Sequence, residues 1–177
     1  GGPTEVRMFS QEGKALGALG ADPVSSVRVV ERLQGDAILF SSSGFARPTA
    51  CFLFDPAKPS AKPERTKLID PPGFVKEAEL EGYEVRREMA VSKDGTQVPV
   101  NIVHRKGLVL DGSHPTLLTG YGGYASSNSP YVDPRTLFWL RHGGVLAVAN
   151  LRGGGEFGEA WHRAGNLTRK QNVFDDF

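Results

Sequence analysis

The sequence predicts a mixed fold: short antiparallel strands first, then an α/β sheet whose loops build a site. Two observations carry this. Over residues 1–54, short apolar runs are bounded by turns rich in Gly and Asp. From Pro115 on, an apolar run, a helix-like segment and a second, almost wholly apolar run follow one another, and both runs end in glycines: TLLTGYGGY at 116–124, then GGVLAVANLRGGGEFGEAWH at 143–162. Strand, helix, strand at this spacing is a βαβ unit.

Taken in order, Val6–Phe9 precedes the turn Gln11-Glu12-Gly13-Lys14, and residues 27–33 run to Gln34-Gly35-Asp36. Residues 37–42 and 49–54 complete a set of strands whose spacing suits a sandwich, barrel or propeller, with too few strands to close any of them. Residues 55–73 hold prolines at 56, 59, 63, 71 and 72. That composition reads as a loop over 55–67 and a domain junction near 70–82. Residues 83–91 and 97–105 form a hairpin around Ser92-Lys93-Asp94-Gly95-Thr96, because glycine accepts the positive φ of a tight turn. Val98, Val100 and Ile102 alternate with Pro99 and Asn101, the pattern of a strand with one buried face. Pro99 is expected on a sheet edge, since it cannot donate to a ladder.

Residues 116–119 make the next strand. Asp133 is a good N-cap with Pro134 in the first turn behind it. Leu137 and Leu140 share the buried face of that helix, and Gly143-Gly144 stops it. Residues 145–151 are so apolar that both faces must be covered, as in a parallel sheet under helices. Asn172 and Asp175 resemble a capping box opening a further helix at Val173.

Composition excludes several classes. The 177 residues are 39% hydrophobic and 23% charged, with net charge +1, so no electrostatic case exists for nucleic acid or an anionic membrane. No apolar stretch approaches the ~20 residues of a membrane span, and none reads as a signal peptide. A lone Cys51 offers no internal disulfide and mildly favours a reducing compartment. Cytoplasmic location is the expectation, with periplasmic or secreted placement open. The chain opens Gly-Gly-Pro without methionine and closes at Phe177 just inside a helix start. Both ends read as cuts.

In open α/β sheets, sites form at the carboxyl ends of strands. Two such ends carry Gly120-Tyr121-Gly122-Gly123-Tyr124 and Arg152-Gly153-Gly154-Gly155-Glu156, where glycines let backbone approach a ligand. A tyrosine hydroxyl, with its ordinary pKa near ~10, is a neutral donor suited to a developing oxyanion. Tyr121 is therefore the candidate donor; the competing reading is a packed tyrosine satisfied locally. Neither loop has the glycine spacing of a dinucleotide or P-loop motif. Arg152 and Glu156 are read as an ion pair fixing the glycine loop, and Asp175 and Asp176 as charges at a helix N-terminus. Trp161 and His162 are read as packing residues. His104, His114, His142 and His162 lack zinc-ligand spacing, so no metal is expected. No Gly-x-Ser-x-Gly elbow occurs, and neither Ser41-Ser42-Ser43 nor Ser126-Ser127 sits in the strand-to-helix turn that an elbow requires.

GYGGY, GGVLAVANLRGGGEFGEAWH and KQNVFDDF resemble the prolyl oligopeptidase family of serine peptidases. SKDGTQVPVNIVHRK followed by HPTLLTGYGGY resembles the opening of that family's catalytic domain, and SSSGFARPTACFLFD the last part of its propeller. The resemblance implies the end of a β-propeller over residues 1–75 and the beginning of an α/β-hydrolase domain over 76–177. It implies a serine endopeptidase that cuts short peptides on the carboxyl side of proline, without cofactor. Tyr121 matches the family's oxyanion-hole tyrosine. Tyr124 matches an aromatic, usually phenylalanine, that lines the proline pocket. Thr119 departs from a tyrosine common at its position. The family's serine, aspartate and histidine would lie beyond Phe177, so the chain alone is expected to be inactive and to partner the rest of its polypeptide. Two other readings stay open: an inactive piece or interaction module lacking the nucleophile, and an enzyme of the oligopeptidase B branch, which cleaves after basic residues. Gly123 and Ala149-Asn150 favour the prolyl branch.

Overall fold

The computed structural model describes residues 3–19, 24–57, 62–68, 75 and 77–177. The described residues fall into two compact units. The first holds residues 3–77 with 130–132, the second 78–129 with 133–177. The junction expected near 70–82 lies partly outside the described residues, as do Pro59, Pro71 and Pro72.

The first unit is all-β. β1 (Val6–Phe9) and β2 (Ala15–Leu19) form a hairpin, and β3 (Ser25–Arg32), β4 (Ile38–Gly44), β5 (Arg47–Phe54) and β6 (Glu64–Arg65) form an antiparallel meander in chain order. Leu19 from the hairpin and Phe40 and Phe54 from the meander bury a shared core, with Val6, Met8, Val27, Ile38 and Phe52 against it. The sequence pattern misses β2: Ala-Leu-Gly-Ala-Leu has no β-branched residue, and four of its five residues are exposed. Its pairing to β1 is by backbone register. β6, within the expected 55–67 loop, adds two residues beside Phe52 and Leu53. Ser41, Ser42 and Ser43 lie buried along β4; Ser43 Oγ donates to Pro130 O at 2.8 Å.

The second unit is a four-stranded sheet in the order β7-β8-β10-β9, where β7 is Tyr83–Val91, β8 Gln97–Arg105, β9 Thr116–Gly120 and β10 Val145–Ala149. A short helix, α1 (Glu77–Leu80), runs across the division between the units. The β7–β8 hairpin closes as expected, with Gly95 at φ +85° and Gly95 N–H donating to Ser92 O. β10 is parallel to β9 and antiparallel to β8, and all five of its residues are buried. The sheet is therefore mixed rather than parallel. β9 is exposed along most of its length, because it forms the other edge.

Helix α2 (Pro134–Arg141) follows the sequence signals: Asp133 Oδ1 accepts from Arg135 N–H at 2.8 Å, and Leu137 and Leu140 are buried. The capping box does not form. Helix α3 spans Glu159–Arg163, a 3-10 turn Leu167–Arg169, and α4 Gln171–Asp176, with Lys170 at the N-cap and no side-chain cap. Asn172 lies inside α4 and donates to Ala164 O, while Asp175 accepts from Gln171 one turn back.

Pro99 is not on an edge. It is buried in β8, an interior strand. Its carbonyl accepts from Asn150 N–H at 2.9 Å. A residue's N–H and C=O point to the same side of a strand, so the missing donor faces β10 one residue beyond the end of that strand, where the ladder stops. An edge strand and a ladder terminus meet the same requirement.

Candidate active site

The carboxyl ends of β9 and β10 are adjacent because the two strands are parallel neighbours, with Ala149 opposite Gly120. The two glycine-rich loops therefore leave the sheet side by side, and their glycines serve each other. A Cβ on Gly122 would overlap Arg152 O and Val173 Cγ1. A Cβ on Gly153, at φ +87°, would lie 2.8 Å from Gly122 O, and one on Gly155 would overlap Ala125 O. Only hydrogen fits between backbones this close. The close approach expected for a ligand is in this structure an approach of loop to loop.

Polar groups fix the pair of loops. Ala125 N–H donates to Gly153 O at 3.1 Å, and Gly155 N–H to Ser126 O at 3.3 Å. His162 Nδ1 lies 2.9 Å from Gly153 O, and its Nε2 3.3 Å from Asn166 Nδ2. Nδ1 also lies 3.1 Å from Ala125 N, so this ring nitrogen sits against the backbone of both loops. His162 thus binds loop backbone rather than only packing. Trp161 packs as expected, donating to Leu151 O and meeting Phe157 edge-on.

Arg152 and Glu156 do not pair with each other. The Arg152 guanidinium makes several bonds to the Asp176 carboxylate and one to Asp94 Oδ2 at 2.6 Å, while its backbone N–H also reaches Asp176. Ser92 Oγ donates to Asp176 Oδ1 at 2.7 Å. Asp176 is the buried anchor of this cluster, not a charge at the start of a helix. Bonding to Asp176 and Asp94 raises the Arg152 pKa, and the Arg152 bond holds the Asp94 carboxyl well below the usual carboxylate range. Glu156 is buried and takes Asn128 N–H and Asn150 Nδ2 on one oxygen. Asn150 Oδ1 in turn accepts from Asn101 and Arg87, whose pKa burial lowers. Both charged residues do fix the loop, Arg152 through Asp176 and Asp94, and Glu156 through nearby Asn150 and the more distant Asn128.

Tyr121 and Tyr124 share the loop after β9. Tyr121 is 47% exposed, and its hydroxyl folds back over Gly123, 3.5 Å from the Cβ position of that glycine. Tyr124 is 90% exposed and, like Ala125, adopts a left-handed backbone, at φ 53° and 52°. Lys170 Nζ donates to Gly122 O at 2.5 Å. Lys170 opens the run KQNVFDDF, but nothing in the sequence marks it for contact with the loop after β9. Asp94 is marked only as a turn residue, and Asn128 carries no local signal. Among the described residues no cluster of three or more metal-binding side chains occurs, and no helix is long and apolar enough to cross a membrane.

Residues 130–177 match the prolyl oligopeptidase family. The dual function macrocyclase-peptidase POPB of Galerina marginata is 34% identical over 98% of this chain and 23% of its own length. The prolyl endopeptidase of Elizabethkingia meningoseptica is 44% identical over 55% of this chain and 14% of its own length. A solved structure from a study of two prolyl endopeptidases superposes with TM-score 0.81 at 38% identity, over 99% of this chain and 25% of that one. The chain thus spans about a quarter of the length of these solved relatives. Fold and loops define a hydrolase-type architecture, in which the end of a β-propeller leads into the beginning of an α/β-hydrolase domain. The chain belongs to the prolyl oligopeptidase family.

Proposed function

We propose that the polypeptide carrying this chain is a serine endopeptidase that hydrolyses short peptides on the carboxyl side of proline. The propeller part is assigned to residues 1–75 and the catalytic part to 76–177. The observation that carries the reading is Tyr121, a half-exposed phenol at the carboxyl end of β9 on a loop tied to its neighbour by backbone hydrogen bonds. In this reading a serine outside the chain attacks the carbonyl after proline, a histidine takes its proton and an aspartate orients the histidine. Tyr121 donates to the oxyanion as it forms, and Tyr124 faces the substrate proline. Preorganisation matters here, because a donor already in place costs no rearrangement when charge develops. No cofactor takes part, and the cytoplasm is the assigned compartment. The partners are proline-containing peptides and the remainder of the polypeptide, without which the chain is inactive.

The test is hydrolysis of a chromogenic Gly-Pro peptide by this chain alone, by a fragment that starts after Phe177, and by their mixture. Activity is expected in the mixture alone. Tyr121→Phe in that mixture should lower kcat about 10²-fold with little change in KM. Unchanged turnover would remove Tyr121 from the reaction, and cleavage after lysine or arginine instead of proline would move the enzyme to the basic-specific branch.

A further inference from the structure

We propose that Lys170 is a positioning residue for Tyr121, an assignment that rests on the oxyanion reading of that tyrosine. The ammonium donates to the carbonyl of Gly122 at 2.5 Å, in the peptide that joins Gly122 to Gly123, one residue past Tyr121. The Tyr121 hydroxyl and Lys170 Nζ also flank one point: they lie 3.5 Å and 3.8 Å from the Cβ position of Gly123. The phenol and the cation therefore share the space over a residue without a side chain. Lys170 is exposed and joins the 3-10 turn, which it caps at its C-terminal end, to α4. Its side chain reaches across 48 residues of sequence to the Gly122 carbonyl. Gly122 is also pinned from the other side, where Arg152 O and Val173 leave no room for a side chain. Held on both sides, the turn fixes the backbone from which the Tyr121 ring projects over Gly123.

The experiment is a double-mutant cycle in the full-length polypeptide that carries this chain, using Lys170→Met, Tyr121→Phe and both together. The readouts are kcat and KM on the chromogenic Gly-Pro peptide, with melting temperature as a check on folding. Lys170→Met is expected to lower kcat about 10- to 100-fold, the effect of a small misplacement, with KM changed less than about twofold. Lys170→Arg should restore most of kcat. In the Tyr121→Phe background, Lys170→Met should cost nothing further. An equal loss in both backgrounds, or no loss in either, overturns the positioning role while leaving Tyr121 as the donor. A silent Tyr121→Phe overturns the oxyanion reading and this inference with it. If Lys170→Met does not fold, the cycle is run with Lys170→Gln, which keeps a donor without the charge.

Discussion

Asp94 stands in a surface turn, yet its carboxylate bonds to the buried guanidinium of Arg152 and to the backbone N–H of Thr96. These bonds lower its pKa in the folded state, the Arg152 bond being the larger cause. A carboxyl with a depressed folded pKa contributes stability that is present above its unfolded value and lost as pH falls through the folded one. Asp94→Asn should therefore melt below the wild type at pH 7. The gap should close as the pH drops below the ordinary aspartate value of ~3.9. Thermal melts of both proteins across this range check it, and a gap independent of pH would show that the Arg152 bond is not its source. The charged residues also show where sequence reading stops. Arg152 and Glu156, four apart on one loop, invite pairing by proximity. The fold instead gives each a partner that only packing brings near: Asp176 for Arg152 and Asn128 for Glu156. Spacing reports neighbours along the chain, and partners across a core are set by topology.

The elements legible in the sequence are those defined by local chemistry. Asp94-Gly95 fixes the hairpin to its observed bounds, and Asp133-Pro134 fixes the start of α2. The elements that sequence missed depend on distant groups. β2 exists because β1 pairs with it, and α4 starts at Gln171 rather than Val173, with Lys170 as its N-cap. The glycine loops fall between these cases: their glycines are conspicuous, but which of them is indispensable depends on the opposing loop. Gly122→Ala would overlap Arg152 O and Val173 and should cost about 1–3 kcal/mol or more. Gly123→Ala comes no nearer than 3.5 Å to any neighbour, Tyr121 being the nearest, and should change stability by less than ~1 kcal/mol. Urea unfolding midpoints of the two variants decide it, and equal midpoints would mean that the loops do not pack as described.

At the scale of the whole molecule, the strand directions gather the site. β10 runs against β8 and with β9, so the hairpin turn at 92–96 and both glycine loops share one end of the sheet. This is why Arg152 can reach Asp94 across 58 residues of sequence. The same order has a cost in time. The β7–β8 hairpin is local and closes in roughly 1–10 μs, but its other neighbour, β10, is encoded downstream of both β9 and α2. At ~5–20 residues/s of synthesis, roughly 2–8 s pass with the edge of β8 bare and open to any passing strand. Pro99 faces that edge with no donor to offer. Pro99→Ala should therefore keep or raise the melting temperature of the folded protein while lowering its soluble yield from cells. A yield unchanged at equal expression would deny it this part. A residue misplaced by the grammar of finished sheets then makes sense as a guard on an unfinished one, dispensable once its neighbour has arrived.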